Sequence, residues 1–327
     1  MDLGMENPLH QFLGGLFSCG LPVFRWHMAN LEDMNLMTLM VDCDTQDECR
    51  SILEELRWPD GVKCPRCASD KISRIRKRFQ YDCDSCRYQF SVTAGTMFQD
   101  SHIPLPKWFA AIYLMMESKK GMSANQLKRT LKVGYQTAWF LCHRIRKAIE
   151  EAKSKSQLTG TVEIDETYVG GRYDKRRNRR PWEKQPVIGL LQRNGNFEAR
   201  TIPTPSRQIL TGIVRDRVSP DATVYTDEYA AYKSLKKTHS HASVNHKEEE
   251  WVRGPVHTNS VESAWSLFKR SIVGSFHQIS TKHMDAYLDE FEWRFNNRDN
   301  SFLFRDTLIR LLTSPKMEYK QLVEKTA

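Results

Sequence analysis

No apolar run in this 327-residue chain approaches the roughly 18 residues that a membrane-spanning helix needs. The N-terminus also lacks a basic segment followed by an apolar stretch and a cleavage site, so secretion is not expected. No internal repeat is visible, which sets repeat architectures aside. The eight cysteines do not read as a disulfide framework. Four form two Cys-x-x-Cys pairs, while Cys19, Cys43, Cys49 and Cys142 are scattered. That pattern suits a reducing compartment and one metal site. Hydrophobic residues make up 40%, somewhat low for a globular chain, though the length still allows two or three domains with a sizeable core. Positive charge is what the chain has in excess, with 49 Lys and Arg against 40 Asp and Glu, a net of +9. A polyanionic partner is favoured, most simply nucleic acid.

Along the chain, residues 1–41 are methionine-rich, poor in charge and without a clear period, and are expected to form a mobile leader. Residues 42–100 read as an amphipathic helix over 45–57, a Trp58-Pro-Asp-Gly61 turn, and short strand-like runs around the cysteine pairs. Residues 101–152 read as three helices, with Ser123 as a cap and Val133-Gly134 as a turn before the longest. Short helix, glycine turn, longer helix is a helix-turn-helix pattern. A polar linker over 153–159 leads to alternating strands and helices over 160–300. Strands are expected at 161–169, 185–192, 196–202, 222–226 and 242–245, and helices at 206–217, 228–237, 259–273 and 280–297. Residues 301–327 are expected to form a helical, amphipathic tail. This order is expected of a multidomain α/β chain: an N-terminal segment with the cysteine pairs, a helix-turn-helix, and a mixed-sheet domain in the order a ribonuclease H-like fold would show.

The cysteine pairs have the spacing Cys64-x₂-Cys67-x₁₅-Cys83-x₂-Cys86. Two knuckles of this kind bring four thiolates around one tetrahedral Zn²⁺ and leave no coordination position open, so the ion is structural. Lys71, Arg74, Arg76, Lys77 and Arg78 lie between the knuckles, and are either phosphate contacts or a solvated loop. On the third helix of the next segment, Gln136 and Thr137 are candidates for base edges. Arg144, Arg146 and Lys147 are candidates for phosphates. Trp139, Cys142 and Ile145 are expected to pack inside. The stretch Arg172 to Lys184 holds seven basic and two acidic residues, and Arg176, Arg177, Arg179 and Arg180 are taken as its DNA contacts.

Three acids stand at ends of separate elements. Asp165 lies in the strand-like run Thr161 to Val169, with Glu163 and Asp165 on one face and Val162 and Ile164 on the other. Asp227 ends the run Ala222 to Thr226. Glu262 opens a helix, and Lys269, seven residues on, shares its face. Carboxylates converging from different elements are what two hard divalent ions need for phosphodiester chemistry. Each acid also has a plainer reading. Asp165 fits a solvated strand face, Asp227 a helix cap, and Glu262 a capping box closed by Asn259. Glu166 and Glu228 are the neighbouring rivals.

Four ordered blocks decide among these readings: Arg57 to Cys67, Phe90 to Phe98, Val162-Glu-Ile-Asp-Glu-Thr-Tyr-Val-Gly-Gly171, and His257 to Gly274. Over roughly Asp42 to Arg298 the chain resembles the DDE transposases of bacterial insertion sequences, in the zinc-ribbon group related to Merlin elements. The resemblance implies that Asp165, Asp227 and Glu262 hold two Mg²⁺ (or Mn²⁺) ions and that Lys269 is catalytic. Asn259 is the second choice for the third ligand. Lys269 and Arg270 are expected on DNA, and His246 and His257 are further candidates beside the scissile phosphate. The implied activity is cleavage at terminal inverted repeats and joining of the 3′ ends to target DNA. Partners would be double-stranded DNA and at least one more copy of the chain, with no membrane involved. The place of action would be the cytoplasm, associated with the nucleoid, in a bacterium, or the nucleus in a eukaryote. Alternatives are a domesticated, non-cutting DNA-binding regulator, or a structure-specific metal nuclease of the same fold.

Overall fold

A computed structural model of the chain describes residues 31–32, 34–150, 156–170 and 184–324. Among these residues no helix is long and apolar enough to cross a membrane. The sequence-predicted leader lies outside them up to residue 30, and its end is built in. Leu31 and Met34 are buried, and Asn35 caps helix α1 (Leu36–Asp42) through the Met37 and Thr38 amides. The described residues up to 41 are therefore not part of a mobile leader, because these apolar side chains have a core to enter. Helix α2 (Gln46–Arg57) starts at Thr45 with a reciprocal capping box to Glu48 and buries Cys49, Ile52 and Leu53.

A three-stranded antiparallel sheet follows, β1 (Ile72–Ile75), β2 (Gln80–Cys83) and β3 (Gln89–Phe90). Its small core is Tyr81 and Phe90 packed with Trp58, with ring centroids 5.4 to 6.0 Å apart. So few buried side chains cannot offset the ordering cost of such a segment, which is why small ribbons lean on a metal.

Helices α3 (Leu105–Glu117), α4 (Ala124–Leu131) and α5 (Tyr135–Glu150) form a helical layer. Lys132 at φ 53° turns the chain between α4 and α5. Their apolar faces share one core with α1, α2 and two helices from the far end of the chain, α9 (Leu303–Thr313) and α10 (Tyr319–Val323). Leu308 and Leu311 of α9 are fully buried, each worth about 1.5–3 kcal/mol of transfer. The expected C-terminal tail is thus a part of the N-terminal helical core.

The second body is a five-stranded mixed sheet in the order β6 (Phe197–Thr201), β5 (Gln185–Gln192), β4 (Thr161–Val169), β7 (Thr223–Thr226), β8 (Ser240–Ser243). Strand β4 is central, antiparallel to β5 and parallel to β7. Val162 and Ile164 point to a core with helix α6 (Arg207–Arg217) and a 3₁₀ helix, Ala230–Lys237. On the other face Val169, Val187 and Leu191 meet α7 (Asn259–Ser271) and α8 (Met284–Asn296) through Trp265, Phe268 and Phe291. Helix α7 ends in a π turn over Ile272–Phe276 rather than running to 273 as an α-helix. The expected strand at 242–245 lies two residues earlier, at Ser240–Ser243, and the expected helix at 228–237 is 3₁₀. The Asp227 side chain accepts from the Tyr229 amide and tightens that turn.

The two bodies are joined by buried charge. Arg146 of α5 donates to Glu290 of α8 at 2.6 Å, and Arg294 stands 3.2 Å from the same carboxylate. The Arg146 guanidinium also lies 3.8 Å from the centre of the Tyr287 ring. The left-handed Gly121 (φ 72°) permits this closeness, since a Cβ there would lie 2.6 Å from Phe276 and 2.9 Å from Glu290.

Candidate active site and zinc knuckle

Strand β4 delivers Asp165 to the face on which α7 packs, and the first turns of α7 deliver Glu262. The two line a cleft of about 540 Å³ together with Glu166, Thr167, Trp265, Ser266, Lys269, Arg270 and Val273. Lys269 and Arg270 are exposed two turns beyond Glu262, so a phosphate entering this cleft meets both acids and bases. Asp227, at the end of β7, does not line the cleft but lies close enough to act on Asp165 electrostatically.

The electrostatics of the acids are strained. Burial pushes the Asp165 carboxyl up from its ordinary 3.8 to about 8, and the charges of Glu166, Asp227 and Glu262 add to this. Glu166 is pushed up to about 7 by burial and by Asp227, against the hydrogen bond it accepts from the buried Tyr232 hydroxyl. Asp227 is raised by burial too. Such a group of carboxylates favours protons or a divalent cation between them. Hard oxygen donors from three elements fit Mg²⁺ or Mn²⁺ chemically.

Glu262 does not close a capping box with Asn259. Thr258 is the residue before the helix, and its hydroxyl donates to Glu262 Oε1 at 2.7 Å. His246 Nε2 stands 3.7 Å from the same oxygen, with its ring against Trp251. Asn259 is exposed and does not line the cleft. The first turn of α7 is capped instead from β4. Glu163, fully buried, accepts from the Ser260 and Val261 amides at 2.8 and 3.1 Å. Its Oε1 also takes Arg193 Nε at 2.6 Å, while His257 Nδ1 is 3.3 Å away without hydrogen-bond alignment. Sequence reasoning put Glu163 on the face of Asp165 but gave it no role. It also missed Tyr232 and Arg193. The one signal for Glu163 is an acid in phase with Asp165 on a strand whose opposite face carries Val162 and Ile164.

In the ribbon, the four cysteine sulfurs all lie within 4.8 Å of one another. Cys64 to Cys86 is 3.7 Å and Cys67 to Cys83 is 3.5 Å. A tetrahedron with Zn–S bonds of about 2.3 Å has edges of about 3.8 Å, so the thiols are spaced for one zinc ion. Lys71, Arg74, Arg76, Lys77 and Arg78 are exposed around the β1–β2 hairpin, with Arg74 3.4 Å from Glu54.

The proposed DNA contacts on α5 divide. Gln136 is exposed, Thr137 half-buried, and Lys147 half-buried beside Glu150 at 3.1 Å. Arg144 and Arg146 are not available to DNA. Arg144 is buried, gives a hydrogen bond to the Gln99 carbonyl and lies over the Trp108 and Phe140 rings. Arg146 is held by Glu290. Both read as surface bases in the sequence because their cover is not local in it: Arg144 is covered by Gln99 and Trp108, and Arg146 by Glu290 of α8. Arg176, Arg177, Arg179 and Arg180 lie outside the described residues.

Two stretches of the chain match known families. Residues 44–89 match the transposase zinc-ribbon domain and residues 157–296 the ISXO2-like transposase domain. An uncharacterized protein in transposable element ISH50 of Halobacterium salinarum is 32% identical over 269 residues, covering 75% of this chain and 88% of that protein. An uncharacterized transposase-like protein of Haemophilus influenzae is 33% identical over 99 residues, 30% of this chain and 79% of its own. Among solved structures, the Mos1 strand transfer complex superposes with a TM-score of 0.27 at 12% identity, over 62% of this chain and 74% of that one, too loosely to build on. Two matched domains in order and a relative spanning most of both chains place this protein in a family: it belongs to the insertion-sequence transposases that join a zinc ribbon to an ISXO2-like transposase domain.

Proposed function

We propose that the chain is a DDE-type transposase that cleaves the ends of its element and joins the freed 3′ ends to target DNA. The observation that carries this reading is the shared cleft of Asp165, Glu262 and Lys269, with Asp227 close enough to raise the proton affinity of Asp165. The order β6-β5-β4-β7-β8, with an acid on the central strand, a second on its parallel neighbour and a third on the helix above, supports a ribonuclease H-like catalytic domain. Asp165, Asp227 and Glu262 would hold two Mg²⁺ or Mn²⁺ ions. Bound there, such ions activate water or a 3′-hydroxyl and relieve charge on the leaving oxygen.

The chain's own residues do the rest. Lys269 and Arg270 hold the phosphate against the acids. Thr258 and His246 orient Glu262 through Oε1. Tyr232 donates to Glu166 and occupies one of its oxygens, which leaves Asp165 as the less committed of the two β4 carboxylates lining the cleft. The exposed bases of the ribbon hairpin and Gln136 at the start of α5 are proposed to read or hold the terminal repeats, with α4 and α5 as a helix-turn-helix. Two element ends need at least two copies of the chain. The reaction takes place where the DNA is, in the nucleoid of a bacterial host or the nucleus of a eukaryotic one.

The test is strand-specific cleavage of a fragment carrying the terminal repeat, with Mg²⁺, for the unaltered chain, Asp165→Ala and Glu262→Gln. Cleavage at the 3′ end, lost in both variants while repeat binding persists, supports the reading. Cleavage by Glu262→Gln at the unaltered rate removes Glu262 from the site. Tight repeat binding without cleavage by the unaltered chain favours a regulator.

A further inference from the structure

Glu163 spends every contact it has on one task. It is fully buried on β4, two residues from Asp165 and on the same face. Its Oε2 accepts from the Ser260 and Val261 amides, and Oε1 from the Ser260 hydroxyl at 3.0 Å. These amides are among the donors a helix leaves open at its N-terminus, and a carboxylate also suits the positive end of the helix dipole. Arg193 binds Oε1 at 2.6 Å and passes the grip to the approach segment of α7. Its Nη1 donates to the Pro255 carbonyl at 2.8 Å and its Nη2 to that of His257 at 3.2 Å. A second pin lies about a turn further along α7, where Trp265 sits over Gly189 of β5 so closely that a Cβ there would be 2.4 Å from Cζ2.

We propose that Glu163, clamped by Arg193, is a positioning residue that fixes α7 on β4 and so sets the spacing of Glu262 from Asp165. The carboxylate that grips the helix and the one proposed to bind metal ride on the same strand. Glu262 follows Val261 directly, so any tilt of the first turn moves it against Asp165. An ordinary helix cap stabilises a helix wherever it lies; this one belongs to the sheet that carries the other acid. The proposal rests on the reading of the acids as a metal site, and the experiment separates the two.

Mn²⁺ binding to the full chain is followed by paramagnetic resonance of the free ion, for the unaltered chain, Glu163→Gln, Arg193→Lys and Glu262→Gln. Zinc content and far-ultraviolet circular dichroism are recorded alongside. Residues that orient metal ligands change affinity by about 10–100-fold when altered, so Glu163→Gln and Arg193→Lys are each expected to weaken Mn²⁺ binding about tenfold while folded and zinc-loaded. Cleavage in these two variants should recover as Mn²⁺ is raised. Arg193→Lys leaves the charge unchanged and loses the fork geometry. Weakening in Glu163→Gln alone is therefore an effect of charge and overturns positioning. Unaltered binding in both leaves Glu163 as a cap and overturns it as well. Unaltered binding in Glu262→Gln overturns the metal site and the proposal together. If Glu163→Gln does not fold, Arg193→Lys decides by itself.

Discussion

Asp165→Asn is expected to make the protein more stable as it removes its chemistry. A carboxyl that holds its proton up to about 8 when folded, against an ordinary 3.8, binds more protons folded than unfolded across that interval. Stability then falls as the pH rises from about 4 to about 8, since the folded state must give up a proton it prefers to keep. At about 1.4 kcal/mol per pH unit over about four units the ceiling is about 6 kcal/mol. The side chain borders an open cleft where water relaxes around it, so about half, near 3 kcal/mol, is the working expectation. Asparagine carries no charge to desolvate.

Urea midpoints, in buffers freed of divalent ions without a chelator so that zinc stays bound, should favour Asp165→Asn by about 3 kcal/mol at pH 8. The gap should shrink to under about 1 kcal/mol at pH 5. Mn²⁺ at a hundred times its dissociation constant should restore about 2.7 kcal/mol to the unaltered chain and little to the variant. Equal stability at pH 8, or a gap independent of pH, would refute the claim that burial and like charge strain this carboxyl.

Other outcomes follow from the same geometry. Glu290→Ala leaves Arg146 and Arg294 buried without their carboxylate and should cost about 3–5 kcal/mol in urea unfolding, with the two bodies separating into distinct transitions. Cys83→Ser should lower zinc content from one equivalent towards none and change Trp58 fluorescence, because Trp58 packs on Tyr81 beside the ribbon knuckle. Gly189→Ala drives a methyl into Trp265, so it should lower cleavage and the thermal midpoint together, while leaving zinc content unchanged.

Strands β4 and β5 have the bounds that the sequence suggests, because β5 is a near-continuous apolar run and β4 alternates Val162 and Ile164 with Glu163 and Asp165. Strand β8 is placed two residues off. Its residues Ser-His-Ala-Ser carry no strong apolar signal, and its position is set by pairing with β7. The cysteine spacing was legible since four thiols at those intervals have little else to form. The interior of α5 was not. Arg146 reads as a surface base until Glu290, 144 residues away, comes to meet it. The capping box of Glu262 is absent because the helix starts one residue earlier: the Glu262 amide donates to the Thr258 carbonyl, and Glu163, from another element, takes the Ser260 and Val261 amides.

The return of α9 to the N-terminal helices has a consequence for how the molecule is made. The Met97 amide donates to the Leu311 carbonyl, and Leu308 and Leu311 fill the space among α2, α3 and α5. During synthesis, those helices wait for residues 303–313 to leave the ribosome before their apolar faces are covered. A chain cut short before residue 303 would have an open hydrophobic core among α2, α3 and α5. The fold thereby couples the packing of its first half to residues 303–313. Chains lacking that helix would then be cleared by proteolysis.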